Sequence, residues 1–304
     1  MSDFEDHRQA LKTGTRLARY AVRRVLGAGG FGITYRGIDE GHEVGEPGRD
    51  VAIKEYLPFE IAVRLNDGVS VDVISAADEA DYYFGLEKFE AEARTLARFA
   101  HPNIVAVRRF LTGNNTAYII MPYERGIDLS TIIHSDQELF EEDIQEMLPP
   151  LLDGLAQIHA GGFLHRDIKP SNIYIRQADY SPLLLDFGAA RQALGNRSRK
   201  LTTLLTPGYA PFEQYITDGN QGPWTDIYAL AAVIYAVCLK DRPVEANVRI
   251  GAAANGRKDP FQPAAKRAKG RYSKQLLTAI DTALNLREQD RPQNIAEFRA
   301  LLGM

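Results

Sequence analysis

The chain has almost none of the features that mark a secreted or membrane protein. Cys238 is the only cysteine in 304 residues, which excludes an internal disulfide and favours a reducing compartment, so we expect a cytoplasmic protein. The apolar run at 229–239 is about half the length that a membrane-spanning helix needs. We therefore expect no membrane span and predict a central helix with Cys238 in the core. Residues 1–14 lack the apolar segment of a signal peptide and are expected to be a frayed lead-in.

The chain also lacks a strong excess of charge of either sign. It has 36 Lys and Arg against 40 Asp and Glu, a net charge of −4. This balance does not predict a nucleic-acid partner or a membrane-surface patch. Hydrophobic residues make up 45% and charged residues 25%, an ordinary globular composition in a chain long enough for two packed lobes. The basic stretch at 252–270 is interpreted as a surface connection, with a docking surface as the alternative.

The most informative segment is 165–172, which reads HRDIKPSN. It places a carboxylate (Asp167), an ammonium (Lys169) and a carboxamide (Asn172) on one short loop. Asp167 can accept a proton, Lys169 can neutralise a phosphate and Asn172 can hold a cation. Phosphoryl transfer needs this set, because it requires a positioned acceptor hydroxyl, a metal ligand and positive charge where negative charge accumulates.

A glycine-rich turn lies upstream, at 25–35, between two apolar segments. Its glycines let backbone N–H groups approach phosphate oxygens where a Cβ would collide. The spacing GxGxxG also occurs in dinucleotide-binding proteins, where a helix follows it. Here apolar residues alternate from Ile33 to Ile38, which favours a second strand and a nucleotide-binding hairpin.

Downstream of the loop, an apolar strand at 183–185 ends in Asp186. An aspartate at that place is costly to bury without a cation, and a magnesium ion bridging two phosphates would supply one. Three further signals follow, namely the segment TPGYAPFE at 206–213, Asp226 and Arg291.

Together these motifs resemble those of eukaryotic-type protein kinases. Each occurs once and in family order, from Gly27 to Arg291, with the strand VAIK at 51–54 and the string HPNIV at 101–105 between them. The resemblance implies an α+β, two-lobed protein kinase fold with a small antiparallel β N-lobe, an αC helix and a larger, mainly helical C-lobe. We expect an N-terminal lead-in over 1–17, the N-lobe over 18–121, and the hinge and C-lobe over 122–304.

The resemblance also implies ATP and Mg²⁺ (or Mn²⁺) as cofactors and protein Ser/Thr hydroxyls as acceptors. Asp167 is then the proton acceptor, Asn172 and Asp186 are the metal ligands, and Lys54 pairs with a helix glutamate. Counting back from HPNIV selects Glu92 for that pair over Glu90, and Glu92 also borders an apolar helix face. The implied catalytic residues are Lys54, Glu92, Asp167, Lys169, Asn172, Asp186 and Thr206.

The nucleotide contacts follow from the same matches. Met121 takes the gatekeeper position, Asp128 is placed for the ribose hydroxyls, and Tyr174 is expected below the adenine. The implied nucleotide-binding residues are Leu26, Gly27, Ala28, Gly29, Gly30, Phe31, Gly32, Ile33, Thr34, Ala52, Lys54, Met121, Tyr123, Asp128 and Tyr174. Glu213 and Arg291 are expected to form a structural pair, Asp226 to brace the catalytic loop, and His165 to be structural.

The subgroup and two competing functions can also be weighed. Lys169 and Thr206 are typical of Ser/Thr kinases, and the strings at 186–191 and 206–215 resemble those of bacterial Hanks-type kinases. Phe212 and Thr34 depart from the usual pattern without removing a catalytic atom. A pseudokinase that binds without turnover is the alternative, disfavoured because every implied catalytic residue is present. A small-molecule phosphotransferase is disfavoured by the segment at 206–213.

An insertion of about 56–75 separates Lys54 from the predicted αC helix. Apolar residues alternate on both sides of Asn66-Asp67-Gly68, which predicts a β-hairpin over 61–73. Ser75 to Asp78 has the spacing of a capping box, so the helix is expected to start early. The hairpin is either a structural embellishment or a docking site for a regulatory partner, since αC position decides whether Lys54 meets Glu92.

The loop at 189–205 predicts a switch by phosphorylation. It contains Arg191, Arg197, Arg199 and Lys200 and no acidic residue, a formal charge of +4. Phosphates on Thr202 and Thr203 would each bring about −1.5 to −2 charges and nearly cancel this charge. Arg166 is placed to pair with one of them.

Replacing both Thr202 and Thr203 with alanine should therefore lower turnover and leave ATP binding unchanged. Steady-state kinetics and a nucleotide-binding titration measure the two effects. A double variant as active as the parent, together with no phosphate on either threonine of the parent by mass spectrometry, would exclude the switch.

Overall fold

The computed structural model describes residues 8–46, 48–187, 206–216 and 218–304. Within these ranges the chain is an α+β protein with two compact units, as predicted. The first unit comprises 8–46, 48–100 and 105–124, and the second comprises 101–104, 125–187, 206–216 and 218–304. The boundary thus falls after Glu124, and residues 101–104 belong to the second unit. Asn103 explains the latter, because its Nδ2 donates to the Pro182 carbonyl at 2.7 Å and its carbonyl accepts from Leu184 N at 2.8 Å.

The first unit is built on an antiparallel sheet of six strands, a separate two-stranded hairpin and one long helix. The sheet strands are β1 (Arg16–Leu17), β2 (Tyr20–Gly29), β3 (Gly32–Asp39), β4 (Asp50–Tyr56), β7 (Arg109–Gly113) and β8 (Thr116–Pro122). Their order is β1-β2-β3-β4-β8-β7. The hairpin strands are β5 (Ala62–Arg64) and β6 (Val71–Val73), and the helix is α1 (Glu79–Leu96).

The glycine-rich segment forms a tight hairpin between β2 and β3. Gly29 pairs with Gly32 in register, and a second strand follows the turn, so the strand interpretation is confirmed over a dinucleotide fingerprint. Alternation sets the faces of β3, where Ile33 and Tyr35 are fully buried and Thr34 between them is only half-buried.

The predicted hairpin at 61–73 is present. Ala62 pairs with Val73, and Arg64 with Val71. The connecting turn is closed by a hydrogen bond from Leu65 N to the Ser70 carbonyl at 2.8 Å. Gly68 in this turn has a φ of 74°, a left-handed conformation that glycine adopts at little cost.

The predicted fraying of the N-terminal lead-in is wrong for residues 8–14. Leu11 is buried, and its N–H donates to the Tyr35 hydroxyl at 3.1 Å. The Gln9 carbonyl accepts from Arg64 Nε at 2.6 Å, and β1 pairs with β2. One apolar side chain and several satisfied backbone groups thus hold this segment on the first unit, whereas residues 1–7 lie outside the described ranges.

Helix α1 starts early, as predicted, and ends at Leu96. Ser75 Oγ accepts from Ala77 N at 3.1 Å and begins a short 3₁₀ turn, Ala76–Asp78, that leads into the helix. Phe89 lies on the buried face. Ala100 lies beyond the end of the helix and is exposed.

The second unit combines a small sheet with the remaining described helices. Its strands β9 (Gly126–Asp128), β10 (Ile173–Arg176) and β11 (Pro182–Leu184) have the order β11-β10-β9. The helices are α2 (Leu129–His134), α3 (Glu141–Ala160), α4 (Pro223–Leu239), α5 (Ala246–Ala254), α6 (Ala264–Arg267), α7 (Lys274–Ala283) and α8 (Ile295–Leu302).

Helix α4 is the core of the second unit. Pro223 starts it at a position where its missing N–H costs nothing, and the side chains from Ile227 to Cys238 are buried. Burial raises the pKa of the Cys238 thiol to about 12, so this cysteine is a core residue, as predicted. No described helix is both long and apolar enough to cross a membrane.

A buried ion pair joins the segment before α4 to the segment before α8. Arg291 Nη1 lies 2.7 Å from Glu213 Oε1, and the same guanidinium donates to the carbonyls of Asn285 and Leu286. Thr225 Oγ1 donates to Glu213 Oε1 at 3.0 Å. The predicted structural pair is therefore present, and both charges are satisfied.

The variant Arg291→Met should lower the free energy of unfolding by about 3–5 kcal/mol, because it leaves the Glu213 carboxylate buried without its partner. Arg94→Met is the matched control, since Arg94 pairs with Glu90 on an exposed surface of α1 and should cost no more than about 0.5 kcal/mol. Equal losses for the two variants in urea titrations would contradict this account.

Candidate active site

The loop after α3 is braced by one fully buried carboxylate. Asp226 Oδ2 accepts from His165 N at 2.9 Å, and Oδ1 accepts from Arg166 N at 2.8 Å. His159 Nε2 lies 2.7 Å from Oδ2. Complete burial opposes ionisation of Asp226, but the hydrogen bond and charge from His159 and the backbone donor outweigh it and lower the pKa. Asp226 thus braces the loop as a carboxylate, as predicted.

The same loop contains an unusual backbone conformation just before Asp167. Arg166 has a φ of 67°, a left-handed value that costs a residue with a Cβ free energy. Two contacts hold it there, namely the Arg166 N–H to Asp226 and a hydrogen bond from Gln214 Nε2 to the Arg166 carbonyl at 2.8 Å. Gln214 is itself buried. The strained conformation is therefore fixed by hydrogen bonds to both the N–H and the carbonyl of Arg166.

Asp167 is the centre of a cluster of polar side chains. Lys169 Nζ lies 3.0 Å from Asp167 Oδ2, and Asn172 Nδ2 donates to the same oxygen at 2.8 Å. Thr206 Oγ1 lies 3.4 Å from Asp167 Oδ1 and 3.5 Å from Lys169 Nζ. Four predicted catalytic residues are thus brought together in the second unit.

Asp186 lies beside this cluster at the end of the strand that precedes it. Leu185 N donates to the Asn172 carbonyl at 2.9 Å, which places Asp186 next to the loop. Asp186 has a φ of 39°, a left-handed conformation that aspartate tolerates better than most residues. The chain therefore turns sharply at the predicted metal ligand.

Asn172 and Asp186 fit a divalent cation by the chemistry of their side-chain oxygens. Asn172 Nδ2 donates to both the carbonyl and the Oδ2 of Asp167, so both amide hydrogens are used and the carboxamide oxygen is left to act as a ligand. Asp186 adds carboxylate oxygens. Magnesium and manganese prefer such oxygen ligands and keep several waters.

His165 has a structural role, as its packing indicates. Its Nε2 lies 2.8 Å from the Leu185 carbonyl, and its ring stacks on Phe187 with centroids 4.9 Å apart. Burial lowers the pKa of His165, so the ring is neutral, donates through Nε2 and accepts at Nδ1 from Asp167 N. Phe187 ends this described range, and Gly188 and the loop at 189–205 lie outside the described residues.

In the first unit, Lys54 and Glu92 form the expected pair. Lys54 Nζ lies 3.4 Å from Glu92 Oε1, and the Glu92 side chain is 2% exposed. Glu90 lies on the exposed side of α1 and pairs with Arg94 at 2.6 Å. The choice of Glu92 over Glu90 is confirmed.

The predicted nucleotide contacts of the first unit divide between two faces of the sheet. Thr34 pairs in register with Lys54, and Ala52 with Met121, so these four side chains share a face. Ile33 was assigned to the nucleotide as well, but its side chain is on the opposite face and fully buried. The nucleotide contact predicted for Ile33 therefore cannot come from its side chain, because neighbouring residues of a strand point to opposite sides.

The glycines of the turn have different reasons for being glycine. A Cβ on Gly27, Gly29 or Gly30 would meet no atom of the described chain within 4 Å, so packing does not require glycine there. A Cβ on Gly32 would lie 1.8 Å from the Glu55 carbonyl oxygen. Gly32 is required by its contact with β4, whereas the other three leave backbone open to a ligand. Leu26, Ala28 and Phe31 are half-buried beside them.

The remaining nucleotide candidates already have partners in the protein. Asp128 caps α2, because its carboxylate accepts from Thr131 N at 2.9 Å and from Thr131 Oγ1 at 2.7 Å. Tyr174 pairs with Asp128 across β9 and β10, so the structure brings these two together. The Tyr123 ring lies under the Arg36 guanidinium at 4.9 Å.

Sequence reasoning missed two residues that shape the site, His159 and Gln214. His159 is the third partner of Asp226, and Gln214 holds the Arg166 carbonyl. His159 is in the last turn of α3, where a histidine is usually explained by the helix dipole. Gln214 directly follows the Glu213 of the recognised motif, which was the one available signal.

The antiparallel sheet with its lysine–glutamate pair, and the helical unit with its Asp167 cluster, define the class of eukaryotic-type protein kinases. The model of the protein kinase domain matches residues 20–298, and the chain belongs to this family. The chain is 31% identical over 238 residues to serine/threonine-protein kinase D of Synechocystis sp., covering 75% of this chain and 42% of that protein. It is 31% identical over 245 residues to serine/threonine-protein kinase PknB of Mycobacterium leprae, covering 78% and 39%.

The chain thus spans about two fifths of the length of these bacterial relatives. Among solved structures, it is similar to the apo form of PpkA-294, with a TM-score of 0.87 and 39% identity over 97% of this chain and 99% of that one. It shares its fold with the kinase domain of Mycobacterium tuberculosis PknI, with a TM-score of 0.67 and 24% identity over 97% and 99%.

The lowered pKa of Asp226 makes a prediction about stability. A carboxyl whose pKa is lower in the folded state stabilises the fold above its unfolded pKa of about 3.9, and this contribution is lost as pH falls through the folded value. Asp226→Asn should therefore be less stable than the parent at pH 7, and its free energy of unfolding should fall less steeply below about pH 4. Asp153→Asn, at an exposed ion pair, is the control and should retain the slope of the parent. If the free energy of unfolding of Asp226→Asn fell with pH as steeply as that of the parent, Asp226 would not be the carboxyl with the lowered pKa.

Proposed function

We propose that the chain is an ATP-dependent protein serine/threonine kinase, which transfers the γ-phosphoryl group of ATP to hydroxyl groups of protein substrates. The observation on which this rests is the cluster of Asp167, Lys169, Asn172 and Thr206. It presents a proton acceptor, a cation and a metal-binding carboxamide within one set of hydrogen bonds.

Asp167 is the residue that accepts the proton. Its carboxylate is 8% exposed and lies beside the Lys169 ammonium, so it can orient an incoming hydroxyl at close range. The hydroxyl oxygen forms a bond to the γ-phosphorus while the bond from that phosphorus to the β–γ bridging oxygen breaks. The hydroxyl proton passes to Asp167, and ADP leaves with the electron pair of the broken bond.

Lys169 and Thr206 support serine and threonine as acceptors. Thr206 Oγ1 lies within 3.5 Å of both Asp167 and Lys169, so it ties the segment at 206–216 to the proton acceptor. Both curated relatives described above are named serine/threonine-protein kinases. The substrates themselves are proposed only by class, as proteins with accessible serine or threonine.

Each unit, taken by itself, has groups that suit part of the nucleotide. In the first unit, the open backbone at Gly27, Gly29 and Gly30 is suited to phosphate oxygens, and Lys54 would neutralise them. In the second unit, Asn172 and Asp186 would hold Mg²⁺ or Mn²⁺, which when bound offsets the charge of the phosphates. Asp128 has further lone pairs besides those that cap α2 and would accept from the ribose hydroxyls.

The variant Asp167→Asn should reduce kcat by on the order of 100-fold or more, because it removes the proton acceptor. The Kd for ATP should change little, since no predicted nucleotide contact is lost. Asp179→Asn, which alters an exposed carboxylate at the β10–β11 turn, is the matched control and should retain the parent kcat. Near-parental turnover in Asp167→Asn would exclude the proposed role.

A further inference from the structure

The Lys54–Glu92 pair joins strand β4 to helix α1. The distance between the Lys54 ammonium and the Glu92 carboxylate therefore depends on how α1 is held against β4. Tyr56, two residues after Lys54, makes direct contacts with the helix. Its hydroxyl donates to the Tyr82 carbonyl at 3.0 Å, and its ring packs on Phe89 with centroids 5.5 Å apart. The beginning of α1 has a second support, which comes from the hairpin at 61–73.

The hairpin is anchored to the strand that bears Lys54. Arg64 Nη2 lies 2.5 Å from Oε2 of Glu55, the next residue along β4, and both side chains are almost completely buried. Arg64 Nη1 donates to the Val69 carbonyl at 2.7 Å across the hairpin. Breaking such a buried pair is costly, so the hairpin is fixed with respect to β4.

The far strand of the hairpin is bound to the turn between β7 and β8. Val71 N donates to the Asn114 carbonyl at 2.9 Å, and Asn115 Nδ2 donates to the Val71 carbonyl at 3.0 Å. Val71 is 1% exposed. Both of its backbone polar groups are therefore satisfied by this turn, as burial requires.

The same turn is bound to the beginning of α1. The Tyr82 hydroxyl donates to the Asn115 carbonyl at 2.6 Å, and the Tyr83 hydroxyl lies 3.1 Å from Asn115 Oδ1. Asn115 thus contacts the hairpin and the helix at once. The side chain of its neighbour Asn114 instead donates to the Tyr118 hydroxyl within the sheet, at 2.9 Å.

We propose that the hairpin at 61–73 is a built-in support for α1, and that Asn115 is the positioning residue through which it keeps Glu92 within reach of Lys54. The inference rests on the proposed function, because it assigns the pair a role in phosphotransfer. Asn115 contacts none of the catalytic residues and acts through Glu92. The hairpin is then neither an embellishment nor a site that needs an external partner, since its partner is α1 of the same chain.

Two glycine substitutions in one turn test this role. Asn114 and Asn115 have φ values of 57° and 55°, which glycine adopts readily, so either change preserves the turn. Asn115→Gly should lower kcat/KM for ATP about tenfold, because it removes side-chain contacts to both the hairpin and α1. Asn114→Gly, the matched control, should remain within about twofold of the parent. Equal losses in the two variants would overturn the proposal.

A double-mutant cycle separates positioning from a general loss of stability. In a Glu92→Gln background the lysine partner is already impaired, so Asn115→Gly should change kcat/KM by less than about twofold. If its effect instead multiplies with that of Glu92→Gln, Asn115 does not act through Glu92. Tyr82→Phe removes a different bond between the same turn and α1, the one to the Asn115 backbone carbonyl, and should give a smaller loss that is also absent in the Glu92→Gln background. It tests the proposal even if Asn115→Gly fails to fold.

Hydrogen exchange tests the support without requiring turnover. Amides of α1 should exchange several-fold faster in Asn115→Gly than in the parent and should be unchanged in Asn114→Gly. A parent chain without phosphotransfer activity would refute the proposed function, while the exchange rates would still decide the role of Asn115. Equal exchange across α1 in both glycine variants would overturn that role.

Discussion

The catalytic loop depends on one buried carboxylate. Asp226, on the fully packed helix α4, accepts hydrogen bonds from the consecutive amides of His165 and Arg166. That pair of bonds stabilises Arg166 in a left-handed conformation which it would otherwise leave. Asp167 follows directly, so its direction toward Lys169 and Thr206 is set by a residue that contacts no substrate. The buried helix α4 thereby fixes the conformation of the loop that contains Asp167.

In the first unit, the position of Glu92 relative to Lys54 also depends on residues outside the pair. Lys54 is fixed by its strand, but Glu92 is on a helix that could shift as a body. Tyr56 and the turn at Asn115, to which the hairpin is bound, hold that helix by two hydrogen bonds at Tyr82, and Tyr56 also packs on Phe89. Both hydrogen bonds are buried or half-buried, so breaking them costs more than breaking exposed ones. In each unit, therefore, the positions of the charged groups are set by residues that do not themselves contact the substrate.

Much of this could be predicted from the sequence, and the residues that could not share a physical reason. Short sequence motifs identified Asp167, Glu92, Asp226 and the Glu213–Arg291 pair. The alternation of apolar residues around a glycine-containing turn predicted the hairpin at 61–73. His159, Gln214 and the pairing of Arg64 with Glu55 were not predictable, because each depends on which distant segment packs against it. Ile33 was assigned to the nucleotide by its place in a string, although strand alternation gives it to the core. The backbone N–H of Leu11 likewise finds its acceptor in a tyrosine hydroxyl 24 positions away.

The central claim is that the arrangement around Asp167 transfers phosphate and does not only bind nucleotide. The most direct measurement incubates the purified chain with γ-labelled ATP and Mg²⁺ or Mn²⁺, together with a generic protein acceptor, and follows the label. The account predicts that label appears as phosphoserine or phosphothreonine, with ADP formed in equal amount. Nucleotide binding with no transfer of label under either metal would contradict it and would make the chain a binding module with a kinase fold.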